Sequence, residues 1–100
     1  MEKYDVKISP AAQRDFIAVV EHLDNLPPEE AVQQYELILS ETEILIKAPA
    51  QCPHARDLQL RLRGYRILTV GDYLIFFAIC GKSVEIRRIL HAKRQYERLI

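Results

Sequence analysis

The run Tyr73-Leu74-Ile75-Phe76-Phe77-Ala78-Ile79-Cys80 constrains the fold of this chain more than any other stretch. After Tyr73 it has no polar residue, so as a strand it must be shielded on both faces, which makes it a central strand and the spine of a core. Gly71-Asp72 precedes it and Gly81-Lys82-Ser83 follows it. Both are hairpin signals, because glycine tolerates positive φ and aspartate tolerates turn geometry. Further β-branched and aromatic runs lie on either side, from Leu62 to Val70 and from Val84 to His91, so this part of the chain reads as an antiparallel meander.

The first half has a different period. Tyr4 to Ile8 alternates apolar and polar residues as a strand does. Ser9-Pro10 then reads as a helix cap followed by proline at the first helical position. Ala12, Phe16, Val19, Val20 and Leu23 recur at helical spacing, and the helix should end near Asn25. Leu26-Pro27-Pro28-Glu29-Glu30 is a tight link that starts a second helix. That helix carries Ala31, Tyr35, Ile38, Leu39, Thr42, Leu45 and Ile46 on one stripe and stops before Ala48-Pro49. A link so short implies a helical hairpin packed on one face of the sheet. Pro49 to Arg56 reads as a loop, and Leu58, Leu60 and Leu62, alternating with Gln59, Arg61 and Arg63, read as a strand with one buried face. Ala92 to Ile100 is a short polar tail or helical turn. The expected fold is one α+β domain over residues 1–100: an N-terminal strand, a helical hairpin, a three- to four-stranded antiparallel meander and a short C-terminal tail or helix.

With 49% hydrophobic and 28% charged residues, the chain can build a core without disulfides, and no apolar run reaches the length of a membrane span. The start, Met1-Glu2-Lys3-Tyr4-Asp5, lacks a signal-peptide core, so a cytoplasmic protein is expected. Cys52 and Cys80 suit a reducing compartment and lack metal-ligand spacing. There is no phosphate loop, nucleophile elbow or HExxH, and no metal or cofactor is expected.

The net charge of zero conceals an asymmetry. Residues 1–50 hold four basic and ten acidic residues, net −6, while residues 51–100 hold ten basic and four acidic ones, net +6. Such a split either marks a basic surface for a polyanion or acidic partner, or neutralises itself across the fold.

Around the apolar spine stand Arg61, Arg63, Arg66, Arg87, Arg88, Lys93 and Arg94, with His91 and Tyr96 nearby in sequence. Guanidinium forks match phosphate oxygens bidentately, so this set suits a phosphodiester. On RNA, the substrate's own 2′-hydroxyl can attack phosphorus, and the protein then needs a base, an acid and positive charge. His91 is the proton carrier for such a reaction near neutral pH, while Tyr96 can carry a proton or stack on a base. Arginines on edge strands also serve simply to keep a sheet soluble. Strand parity places Val84, Ile86 and Leu90 on one face and Arg87 with His91 on the other, which leaves Arg88 among the apolar set. Either a bulge re-aims Arg88 or the far end of the strand is an edge open to water.

The order of elements, with Leu62-Arg63-Gly64-Tyr65-Arg66, Val70-Gly71-Asp72-Tyr73-Leu74-Ile75-Phe76-Phe77 and Val84-Glu85-Ile86-Arg87-Arg88-Ile89-Leu90-His91-Ala92-Lys93-Arg94-Gln95-Tyr96, resembles the RelE/ParE superfamily of bacterial toxins. The resemblance runs over nearly the whole chain. It implies the toxin half of a type II toxin–antitoxin pair, held in a hetero-oligomer with a cognate antitoxin. RelE-like members cut mRNA in the ribosomal A site, whereas ParE-like members inhibit DNA gyrase without known hydrolytic chemistry; a non-toxic relative that only binds its partner is a third possibility. For the ribonuclease branch, the resemblance makes Arg66, His91 and Tyr96 catalytic and favours a role for Arg88, while the charge pattern makes Arg61, Arg63, Arg87, Arg88, Lys93 and Arg94 nucleic-acid-binding. The lysines that many such members carry before Gly-Tyr-Arg are absent here. The expectation leans to RNA cleavage because Arg66, His91 and Tyr96 are all retained. An antitoxin segment is expected to cover either an apolar groove on the helical hairpin or an open strand edge, with acidic residues over the arginines.

Overall fold

The structure is a computed structural model and describes residues 3–92. Strand β1 (Asp5–Ile8) leads into helix α1 (Pro10–Leu23), and α2 (Pro28–Lys47) follows. Ser9 holds extended backbone, and its hydroxyl accepts from the Ala12 amide at 3.1 Å, with Pro10 at the first helical position. Glu29 and Glu30 occupy the first turn of α2, and Lys47 the last, the charge order that a helix dipole favours. A short 3-10 turn (Pro49–Gln51) then leads to helix α3 (Leu58–Leu62) and to strands β2 (Tyr65–Val70), β3 (Tyr73–Cys80) and β4 (Ser83–His91).

The four strands form one sheet in the order β1-β4-β3-β2. β2, β3 and β4 make the antiparallel meander, and β1 joins it parallel to β4. The apolar run is β3, with Phe76 and Phe77, its two adjacent side chains, both fully buried. They point to opposite faces, which splits the core in two. Phe77 lies with Leu68, Val70, Ile75, Val84 and Ile86 against Ala12 of α1 and Leu45 of α2. Phe76 lies with Tyr65 and Leu90 against Ala55 and Leu60. Gly71 and Gly81 open the two hairpin loops at φ +57 and +62, the left-handed backbone that a two-residue turn needs at its first position.

Leu58 to Leu62 forms a helix, not the strand that its alternation suggests. The Asp57 carboxylate accepts from the Leu60 amide at 3.1 Å and starts a turn, and Gly64, at φ +81, ends it. Only Leu60 of the three leucines is buried, whereas a strand would have put all three inside. Among the described residues no helix is long and apolar enough to cross a membrane.

Candidate functional site

Of the bulge and the water-open edge posed as alternatives for the end of β4, the bulge is present, and the edge beyond it is covered by α1. Phe76 pairs with Arg88 while Phe77 pairs with Ile86, so Arg87 is the extra residue of a bulge. The bulge reverses the parity of everything after it. Leu90 packs with Phe76 on one face, while Ile89 joins the cluster of Val84 and Ile86 on the other. The expected grouping of Arg87 with His91 on one face is therefore corrected: Arg87 lies 5.7 Å over the Tyr65 ring, on the face of Phe76, and His91 lies on the helical face with Ile89. The Arg87 Nε sits 2.8 Å from Glu85 Oε1, an ion pair without hydrogen-bond alignment.

β1 pairs with β4 only as far as Ile86. Beyond it, α1 supplies the missing partners: the Ser9 amide donates to the Ile86 carbonyl at 2.9 Å, and the Ser9 hydroxyl donates to the Arg87 carbonyl at 2.9 Å. The Asp15 carboxylate then accepts from the Ile89 amide at 2.9 Å and takes both Nε and Nη2 of Arg88, at 2.7 and 3.0 Å. This bidentate grip holds the Arg88 guanidinium more firmly in its charged form than usual.

Arg66 lies across the sheet on edge strand β2. Its Nη1 donates to the carbonyls of Cys52 at 2.7 Å and Ala50 at 3.2 Å, so it pins the loop that covers that edge. The same loop bonds β2 directly, the Ala55 amide to the Tyr65 carbonyl and the Ile67 amide to the Pro53 carbonyl. Beneath it, burial pushes the Cys52 thiol up, against the opposing pull of the Arg66 charge. Arg61 and Arg63 belong to α3 and its cap, on the Phe76 side.

His91 ends β4 beside a shallow cavity of about 190 Å³ lined by Asp15, Ala18, Val19, His22, Tyr73 and Ile89. Its ring meets Tyr73 edge-on, with centroids 5.6 Å apart. Burial, and then the Asp72 carboxylate, push the Tyr73 phenol up, so it is protonated at neutral pH and is no base. Arg66 stands in the row of Phe77 and Ile86, while His91 stands in the row of Tyr73. Four rows and two strand spacings separate them, which places their backbones roughly 16 Å apart. The structure thus does not bring Arg66 and His91 together. Lys93, Arg94 and Tyr96, with the expected tail, lie outside the described residues.

A concave apolar surface lies elsewhere. Between the helical hairpin and the sheet, Val6, Ile8, Phe16, Ile38, Leu39, Ile46, Val70 and Ile86 line a groove of about 230 Å³. Its rim is uncovered: Leu39 and Ile46 of the α2 stripe are exposed, and Leu45 is the one fully buried residue of that helix. Alternation and helical spacing announced the stripe, and Asp15 and the exposed leucines of α3 carried no comparable signal.

Residues 6–96 match the family described as the ParE toxin of type II toxin–antitoxin system, parDE. No curated protein matches the chain. Among solved structures, it is similar to one described as a chromosomal ParDE TA system from P. aeruginosa, with 22% identity and a TM-score of 0.70, over 90% of this chain and 97% of that one. It is also similar to the toxin–antitoxin complex RelBE2 from Mycobacterium tuberculosis, with 24% identity and a TM-score of 0.57, over 93% and 97%. These likenesses are likenesses of fold.

Proposed function

The chain belongs to the ParE family of toxins of type II toxin–antitoxin systems, and from that premise we propose that it stops growth by binding a protein target, DNA gyrase, without cutting RNA. The observation that carries this reading is the separation of Arg66 from His91. Attack by a 2′-hydroxyl needs its proton carriers and its cations within hydrogen-bond reach of one phosphate. Two side chains rooted roughly 16 Å apart on one sheet, one of them tied to the carbonyls of Ala50 and Cys52, do not serve one phosphorus atom.

The toxin's partner is its antitoxin, and the apolar groove of the hairpin is the surface suited to it. An amphipathic segment laid there would bury Leu39, Ile46, Val6 and Ile8, which folding leaves exposed. Acidic residues beyond those anchors would reach the arginines of the second half and fix the register.

Induced expression tests the reading. Growth arrest is expected, relieved by co-expressing the antitoxin, and His91→Gln is expected to arrest growth as the unmodified chain does. Loss of arrest in a folded His91→Gln variant, with messages depleted in the unmodified chain, would instead support ribosome-dependent cleavage through Arg66, His91 and Tyr96.

A further inference from the structure

Leu58 and Leu62 are 64% and 77% exposed, the two highest values for large apolar side chains among the described residues. Single exposed leucines are ordinary on protein surfaces. These two differ because they sit one turn apart on the same side of α3, forming a ridge, while Leu60 between them points inward and is 3% exposed. A five-residue helix has no stability of its own. This one is held from four directions: the Asp57 cap, the Arg61 side chain donating to the carbonyls of Ala55 and Arg56 at 3.0 and 3.2 Å, the Gly64 amide closing on the Arg61 carbonyl at 2.9 Å, and Leu60 packed with Tyr65, Phe76 and Leu90. The ridge is thus presented rigidly, which removes much of the ordering cost of binding. Arg56, Arg61 and Arg63, all exposed, surround it. An apolar centre with an arginine-rich rim is the composition of a protein interface.

We propose that α3 is the surface by which this toxin grips its target protein, the leucine ridge entering an apolar depression and Arg56 and Arg63 meeting an acidic rim. The assignment rests on the reading of the chain as a toxin that acts by binding. Charge selects the occupant: the residues around the ridge belong to the half of the chain that carries net +6, so an acidic surface complements it. A nucleic acid would use the arginines and gain little from the leucines. The hairpin groove lies on the opposite face of the sheet, so changes at α3 leave the groove intact.

The test compares Leu58→Ser/Leu62→Ser with Arg56→Ser/Arg63→Ser, each assayed for antitoxin affinity, for the inducer level that arrests growth and for oligomeric state. The leucine pair is expected to raise the inducer level for arrest at least about tenfold, the loss of one interfacial anchor or more. Antitoxin affinity of the leucine pair is expected to stay within about twofold. The arginine pair is expected to give a smaller loss that shrinks further in added salt when target binding is measured with purified proteins. Full toxicity in the leucine variant overturns the proposal. So does a loss of toxicity confined to the arginine variant, which would mean a polyanionic ligand, or a lower oligomeric state in the leucine variant with toxicity retained, which would mean a contact between copies. Loss of antitoxin binding in the leucine variant also overturns it, because the leucines would then support the fold. An unmodified chain that binds antitoxin yet never arrests growth contradicts the toxin reading itself, a result distinct from all of these.

Discussion

At the scale of single residues, Asp15 joins the two halves of the fold. One carboxylate on α1 satisfies the Ile89 amide and both ends of the Arg88 fork, and the Arg88 and Asp15 side chains are 21% and 14% exposed. Replacing it removes the acceptor of a strand amide and two charge-assisted hydrogen bonds of a largely buried guanidinium, so Asp15→Ala is expected to cost about 2–3 kcal/mol, measured as a fall in the urea midpoint at unchanged slope. A change of less than about 0.5 kcal/mol would mean that water replaces the carboxylate. None of this was legible in the sequence, because 73 positions separate the partners and no local rule links them. The doublet Arg87-Arg88 was legible as a conflict: alternation could not place both arginines, and the bulge resolves it by turning Arg87 toward Tyr65 and leaving Arg88 to Asp15. The cysteines give a second prediction at this scale. Burial pushes the Cys52 thiol up and keeps it protonated, while Cys80 is exposed, so an alkylating reagent at pH 8 should label Cys80 first and Cys52 only after unfolding. Equal labelling rates in the folded protein would show that the loop pinned by Arg66 opens readily.

At the scale of elements, two patterns competed between Asp57 and Gly64. The leucine alternation pointed to a strand, while an aspartate cap and a glycine seven residues later are the start and stop signals of a helix. The caps prevail because β2 already has its two neighbours, β3 on one side and the 53–55 loop on the other, which leaves no ladder for another strand. Gly64 is the residue that this geometry needs most. Its φ of +81 suits glycine, and nothing lies within 4 Å of the place where a Cβ would stand, so a side chain there meets backbone strain without any clash. Gly64→Ala should therefore destabilise by about 1–2 kcal/mol, read as a lower melting temperature. An unchanged or raised melting temperature would mean that the turn relaxes to negative φ. The helical hairpin was the most legible part, since Ser9-Pro10 and Pro27-Pro28-Glu29-Glu30 are local signals and both helices begin where these residues put them. How weakly α2 would be covered was not legible, because a hydrophobic stripe looks the same whether folding or a partner buries it.

At the scale of the whole molecule, the opposite charges of the two halves stay apart as well as neutralising each other. Glu29, Glu30 and Glu36 stand exposed on α2, while Arg56, Arg61 and Arg63 stand exposed around α3. An antitoxin anchored in the groove and reaching the arginines with acidic residues should lose affinity when those acids are removed. The remaining affinity should then vary little with salt, because apolar burial persists and the screened charge pairs are gone; an unaltered salt dependence would place the charge contacts elsewhere. The candidate catalytic set shows the limit of reading chemistry from a list of residues. Arg66 and His91 are present, and their chemistry and family likeness both grouped them, but strand register puts them at opposite ends of the sheet. The most direct test of a toxin that binds without cutting uses the purified chain in two reactions, one with gyrase and supercoiled DNA, the other with ribosomes holding a defined mRNA. The prediction is gyrase-dependent inhibition or DNA breaks in the first and an intact message in the second; cuts in the ribosome-bound message, with gyrase unaffected, would contradict it.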